Sequence, residues 1–185
     1  MTTDKNNENE LMNRLASGDM AALGEIVERH QDRVLAVAYR FLNDWAKSED
    51  IAQEAFLRIY KAADKYAPQA KFTTWLYRIV SNLCLDERRR QSKAPASIEQ
   101  AGSVATSGSE VDNAERKETI EIVKKAILEL PDRQRLAIIL HRYENLSYDQ
   151  ICEVTDWTKS AVESLLVRAY ANLREKLGKI GNITE

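Results

Sequence analysis

The chain has 185 residues, 30% charged and 44% hydrophobic, with only 6 Gly and 3 Pro. The usual shares are ~7% and ~5%, so a turn-rich β sandwich or barrel is argued against. The net charge of −2 conceals two basic islands, +4 over residues 71–93 and +3 over residues 157–179, which leave −9 for the remainder.

No stretch approaches the ~18 apolar residues of a membrane-spanning helix. The opening MTTDKNNENE lacks the basic-then-apolar order of a signal peptide, so a cytoplasmic protein without membrane contact of its own is expected. Two cysteines, Cys84 and Cys152, lie far apart in helical patterns and read as small buried residues. His30 and His141 have no Cys or His partner at ligand spacing. No metal site, cofactor or catalytic constellation is expected.

Taken in chain order, the first unit, residues 8–91, predicts four helices. A short one spans 8–16 and ends near Gly18. Asp19 is a good N-cap for a long helix over 20–42, where Leu23, Ile26, Val27, Val34, Val37, Ala38 and Phe41 recur at helical spacing. A third helix, 46–63, buries Ile51, Ala55, Phe56, Ile59 and Ala63. After a loop holding Pro68, a fourth covers 73–90 and buries Leu76, Ile79, Val80 and Leu83.

Residues 92–114 hold five Ser and two Gly, with no aromatic and no Leu, and read as a flexible linker. The second unit, 115–180, begins with a helix over 115–130. Pro131 then opens another at 132–142. Ser147 with Gln150 forms a capping box, which starts a helix at Tyr148 ending near Val154. Thr158 caps a last helix that runs to about residue 177. Sustained two-residue alternation is missing throughout. The fold class is therefore all-α: two small helical domains joined by a linker.

The last two helices have helix-turn-helix spacing. Cys152 is the small residue of the first helix, Asp156 the turn residue and Val162 the aliphatic anchor. Asp stands where Gly is usual because it tolerates the left-handed region. Val162, Leu166, Ala169 and Leu173 share an inward face. Lys159, Ser160, Glu163, Ser164, Val167 and Arg168 share the outward one, where a recognition helix meets base edges and phosphates. A plain helical hairpin would show the same periodicity.

The helix over 73–90 carries an outward stripe of Trp75, Arg78, Asn82, Asp86 and Arg89. Rings stack on unpaired bases, amides read their edges and guanidinium groups hold phosphates. For Trp75 alone, core packing competes equally. The preceding helix shows a stripe of Asp50, Gln53, Glu54, Leu57 and Lys61, for which a solvated face is explanation enough.

Wider context comes from resemblance. EDIAQEAFLRIYKAADKY followed by KFTTWLYRIVSNLCLDERRRQ resembles the second region of bacterial sigma factors. AILELPDRQRLAIILHRYENLSYDQICEVTDWTKSAVESLLVRAYANLREKL resembles their fourth. The short length and the absence of anything between the blocks look like the extracytoplasmic-function sigma factors of the sigma-70 family. The resemblance implies that Asp50, Gln53, Glu54 and Leu57 contact core RNA polymerase. It implies that Phe72, Trp75, Arg78, Asn82, Arg88 and Arg89 melt and read the single-stranded −10 element. It implies that the outward face of the last helix reads the −35 element as duplex promoter DNA. An anti-sigma partner is implied as well. One departure stands out: many relatives carry more basic residues where this chain has Glu163 and Leu165. A Glu accepts from cytosine N4 but weakens phosphate attraction. A helix-turn-helix repressor or activator acting without polymerase is the rival reading. It would leave the stripes at Trp75 and Asp50 without a role.

Overall fold

The first two turns of the first unit are each set by an Asp followed by a helix-forming run. The computed structural model describes residues 3–67, 71–93 and 112–181. Helix α1, Thr3–Ala16, begins five residues before the expected start at residue 8, because its first turns are polar and carry no periodicity. It stops at Gly18, whose φ of 93° suits a residue without Cβ. The Asp19 carboxylate then accepts from the Ala21 N–H at 3.0 Å and caps α2, Met20–Leu42. Arg14 also grips Asp19, with Nε donating to Oδ2 at 2.8 Å. That hydrogen bond, with the cap, holds the carboxyl below the usual range. Asn43 in the left-handed region ends α2, and Asp44 caps α3, Trp45–Ala62, by accepting from the Lys47 N–H at 3.0 Å. A single 3-10 turn, Ala63–Lys65, leads toward α4, Phe72–Lys93.

α2 is the spine of this unit. Its Ile26, Val34, Val37, Ala38 and Phe41 are fully buried against Ala55 and Ile59 of α3 and Leu76, Val80 and Cys84 of α4. Burying each large apolar side chain stabilises by roughly 1.5–3 kcal/mol. The stripe expected to face the core is the one that does. Burial also pushes the Cys84 thiol up to about 12, which leaves it unreactive at neutral pH.

The second unit comprises α5, Asp112–Leu128; α6, Asp132–Ile138; α7, Tyr148–Thr155; and α8, Lys159–Gly181. The single helix expected at 132–142 is divided. Its second part, Ile139–Tyr143, is one turn of π-helix, closed by the Glu144 N–H donating to the Ile139 carbonyl at 3.2 Å. Five consecutive residues, Leu136 to Leu140, are buried, more than one face of a regular α-helix can hide. The inserted residue of a π turn rotates the chain and lets the run stay inside. The capping box at Ser147 and Gln150 forms in both directions. The expected linker meets α4 and α5 at its margins, and its residues 94–111 lie outside the described residues. Among the described residues there is no strand, and no helix is long and apolar enough to cross a membrane.

The two units share one continuous core. The most buried tie between them is Arg135 of α6, only 4% exposed. Its Nη1 donates to the Phe41 carbonyl at 2.9 Å, and its Nη2 donates to the carbonyls of Leu128 and Leu130. Phe41 lies in the last turn of α2 and Leu128 ends α5, so these carbonyls have no partner within their own helices. One fork of donors satisfies them, and the positive charge sits at the negative end of the helix dipoles.

Candidate nucleic-acid and polymerase interfaces

The turn between α7 and α8 is built by Asp156, which adopts φ 57° and donates its N–H to the Cys152 carbonyl at 2.9 Å. The Thr158 hydroxyl accepts from the Ala161 N–H at 3.2 Å and caps α8. Val162, Leu166 and Ala169 are buried against α6 and α7, and Leu173 is half-buried beside them. Cys152 is half-buried, more open than Cys84. This is the packing that turns one helix face into an anchor and leaves the other outward.

On that outward face Lys159, Ser160, Glu163, Val167 and Arg168 are exposed and Ser164 is half-buried. Val167 is 69% exposed. Lys159 is not free: its ammonium pairs with Asp149 of α7 at 2.9 Å. Arg133 sits nearby, exposed, with its guanidinium 5.4 Å from the centroid of the Trp157 ring. Sequence reasoning missed this residue, because a stacked pair 24 positions apart has no periodic signature.

The face of α4 is organised around an aromatic group. Trp75 lies 5.1 Å from Tyr66 and 5.8 Å from Phe72, centroid to centroid. Phe72 also packs on His30 at 5.2 Å. Phe72 is only 2% exposed, which corrects its expected place at the DNA surface. As the first residue of α4 it turns into the core and backs Trp75 from behind. Trp75 is half-buried, with one side against the core and the other on a cavity of about 810 Å³. Lys65, Lys71 and Arg78 also line this cavity, and Gln150 and Glu153 of α7 complete its wall.

The remaining residues of the stripe are exposed to different degrees. Asn82 is exposed. Arg78 donates through Nε and Nη2 to the Glu153 carbonyl at 3.0 and 2.5 Å, and through Nη2 to the Asp156 carboxylate at 2.7 Å. Arg88 points away from this group and donates to Asp132 at 3.3 Å and to Gln91 at 3.1 Å. Arg89 pairs with Asp86 at 3.2 Å while staying largely exposed.

On α3, Asp50 and Gln53 are exposed, and Leu57 is 42% exposed. Glu54 accepts from Arg58 Nε at 2.8 Å, and that hydrogen bond holds its carboxyl below the ordinary value. Tyr60, at 45% exposure, extends the stripe. Its helical spacing from Gln53 and Leu57 was a legible signal that the sequence reading passed over. Asp50 and Glu54 also border a groove between α3 and α4, with Lys47, Arg58, Glu87 and Arg90 around it. Among the described residues no cluster of His, Cys, Asp and Glu could hold a metal.

Two helical units, the second carrying a helix-turn-helix, define a class of proteins that meet DNA. Comparison with known proteins narrows it. Residues 26–94 match the family model Sigma-70 region 2, and residues 120–173 match Sigma-70, region 4. The chain is 32% identical over 174 residues to the ECF RNA polymerase sigma factor SigW of Bacillus subtilis (strain 168), covering 89% of this chain and 93% of that protein. It is 30% identical over 177 residues to the ECF RNA polymerase sigma-E factor of Escherichia coli (strain K12), covering 90% and 92%. Among solved structures, that of CnrH in complex with the cytosolic domain of CnrY superposes with a TM-score of 0.71 at 25% identity, over 94% of this chain and 98% of that one. The chain belongs to the extracytoplasmic-function (ECF) RNA polymerase sigma factors of the sigma-70 family. Its function is that of a sigma factor, which directs RNA polymerase to promoters.

Proposed function

We infer that this sigma factor divides promoter recognition between two faces and docks on core polymerase with a third. α1–α4 bind core polymerase and open the −10 element; α5–α8 read the −35 element as duplex. Asp50, Gln53, Glu54 and Leu57 form the polymerase contact, extended by Tyr60. Trp75, Arg78 and Asn82 take the unpaired −10 strand, and Arg88 and Arg89 supply cations further along α4. Lys159, Ser160, Glu163, Ser164, Val167 and Arg168 face the −35 major groove, flanked by Arg133. The chain performs no catalysis of its own and works in the cytoplasm beside the polymerase. CnrH has been solved in complex with the cytosolic domain of CnrY, and RpoE from Bartonella quintana in complex with the anti-sigma factor NepR; an anti-sigma protein is the further partner of this chain.

The observation that carries this reading is the single face of α4 on which a ring, a guanidinium and an amide follow one another. Single strands need that combination and duplex does not. The test is transcription from a cognate promoter with purified core polymerase. Added chain should produce a specific transcript. Retention of the chain on core polymerase should fall when Asp50 and Glu54 are both replaced by Ala. A chain that binds the promoter but neither binds core nor supports a transcript would overturn the reading.

A further inference from the structure

On the outward face of α8, the Glu163 carboxylate stands without a protein partner. It lies in the second turn of the helix, within the part of a recognition helix that reaches base edges. The residue is exposed, and among the described residues its carboxylate makes no hydrogen bond or ion pair. Other carboxylates of this unit are matched: Glu129 by Lys176 at 2.5 Å, Asp132 by Arg88 at 3.3 Å, and Glu144 by the Tyr77 hydroxyl at 2.5 Å. The cation placed to answer Glu163 is Lys159, four residues earlier and so on the same face. Its ammonium is held instead by Asp149 of α7 at 2.9 Å.

A free carboxylate set against a polyanion repels phosphates and lowers the attraction behind non-specific binding. Only a donor on a base edge offsets that. The major groove offers two, the amino groups of cytosine and adenine, whereas guanine and thymine present acceptors. Adenine places its N7 acceptor beside the amino group, and cytosine shows the amino group alone. Other side chains at this position would choose differently: Gln pairs with the donor and acceptor of adenine, and Arg with the two acceptors of guanine. Val167 and Arg168, on the next turn, have no acceptor to offer. Ser160 and Ser164 donate or accept with equal ease and so discriminate little. An amino group at this point of the groove is left to Glu163.

We propose that Glu163 is a specificity-determining residue of this sigma factor, selecting cytosine at one position of the −35 element by accepting a hydrogen bond from its N4 amino group. The inference rests on the −35 role assigned to α8 above. Asp149 acts as a positioning residue: by holding Lys159 it keeps the carboxylate from being neutralised within its own helix. The departure from a more basic recognition helix is then a base choice, made at the expense of phosphate attraction.

The test is selection by reconstituted holoenzyme from copies of a promoter it transcribes, with the −35 positions randomised and the rest held fixed. At one −35 position the parent should enrich a cytosine–guanine pair in one orientation by about five- to 150-fold, the usual range for one mismatched pair. Glu163→Gln should move the choice there to adenine on the strand that held cytosine. Glu163→Ala should abolish the choice at that position and leave the choices at other positions as they were. Asp149→Asn, which frees Lys159 to pair with Glu163, should reduce the cytosine preference without moving it to another base. The same base chosen at every position by the parent and both Glu163 variants overturns the proposal, and so does a responding position at which the parent favours an adenine–thymine pair. A preference in Asp149→Asn equal to the parent's strikes out the positioning role. A parent that enriches no −35 base at all, with Arg168→Ala indistinguishable from it, overturns the −35 reading itself and this inference with it.

Discussion

α4 and α8 differ by one residue in length, 22 against 23, and each lies in a basic island. They differ in what surrounds them. α4 is packed by α2, α3 and α7, and its arginines at 78, 88 and 89 each face an acceptor within the chain. α8 leans on α5, α6 and α7 by one stripe and leaves the opposite stripe open. A count of basic residues therefore says little about which are available. Availability depends on the acceptors that folding brings alongside.

The comparison can be broken most severely at the residues nearest the two reading faces. Phe72 and Val167 were both expected at DNA, but only Val167 is exposed. Phe72→Ala should cost about 3–5 kcal/mol of stability, as expected for a large buried side chain. Val167→Ala should stay within about 0.5 kcal/mol. Urea unfolding followed by circular dichroism measures both. Equal effects would mean that Phe72 does not support Trp75 from the core.

The stripe of α3 proposed to meet polymerase is a surface shared by neither α4 nor α8. Asp50→Ala with Glu54→Ala should weaken core binding by roughly 1–3 kcal/mol for each charge desolvated at the interface. Helicity should remain intact, since both side chains lie outside the core. Fluorescence-detected titration of labelled chain with core polymerase gives the number. Unchanged affinity in the folded double variant would remove the stripe from the interface.

The legible and illegible parts of the molecule separate on physical grounds. Asp19, Ser147 and Asp156 act through local backbone geometry, so their caps and the helix-turn-helix could be read from spacing alone. The apolar stripes of α2, α3 and α4 were readable for the same reason. Two features depend on residues distant in sequence: the burial of Phe72 among His30, Tyr66 and Trp75, and the capture of Arg78 by α7. Helical periodicity places Phe72 and Arg78 on α4 but cannot say what arrives opposite them. The π turn after Ile138 was hidden because its apolar run fits a regular helix until packing is considered. Arg135 was passed over because a buried arginine is defined by its carbonyl acceptors, which lie on three separate segments.

The division of labour can be sharpened in holoenzyme. Asn82→Ala should slow open-complex formation about fivefold, the worth of one hydrogen bond to a base edge at about 1 kcal/mol. It should leave closed-complex binding nearly untouched. Arg168→Ala should do the reverse, weakening initial binding and lowering its salt slope by about one unit for one lost phosphate contact. Permanganate footprinting reports opening, and gel shifts over a salt series report binding. Equal effects of both substitutions on both steps would merge the roles assigned to α4 and α8.

The smallest expected effect is silent at neutral pH and compares the thiols of the two units. Burial lifts Cys84 from 9.0 to about 12, whereas Cys152 is raised less strongly and is half-buried. Below pH 9 the Cys84 thiol is protonated in folded and unfolded chains alike, so it costs nothing. Above pH 9 the unfolded chain loses this proton and the folded chain retains it. The unfolded state then binds fewer protons, and stability falls as pH rises from 9 toward 12. Cys84→Ala should remove that component of the decline while costing some stability at every pH through the cavity it leaves. Urea midpoints of parent and variant between pH 8 and 10.5 should therefore converge as pH rises. In the same range a thiol-alkylating reagent should modify Cys152 in the folded chain well before Cys84. Parallel midpoint curves, or equal alkylation rates, would show that Cys84 is exposed by local opening of α4, and the rigid support assigned to the strand-reading face would go with it.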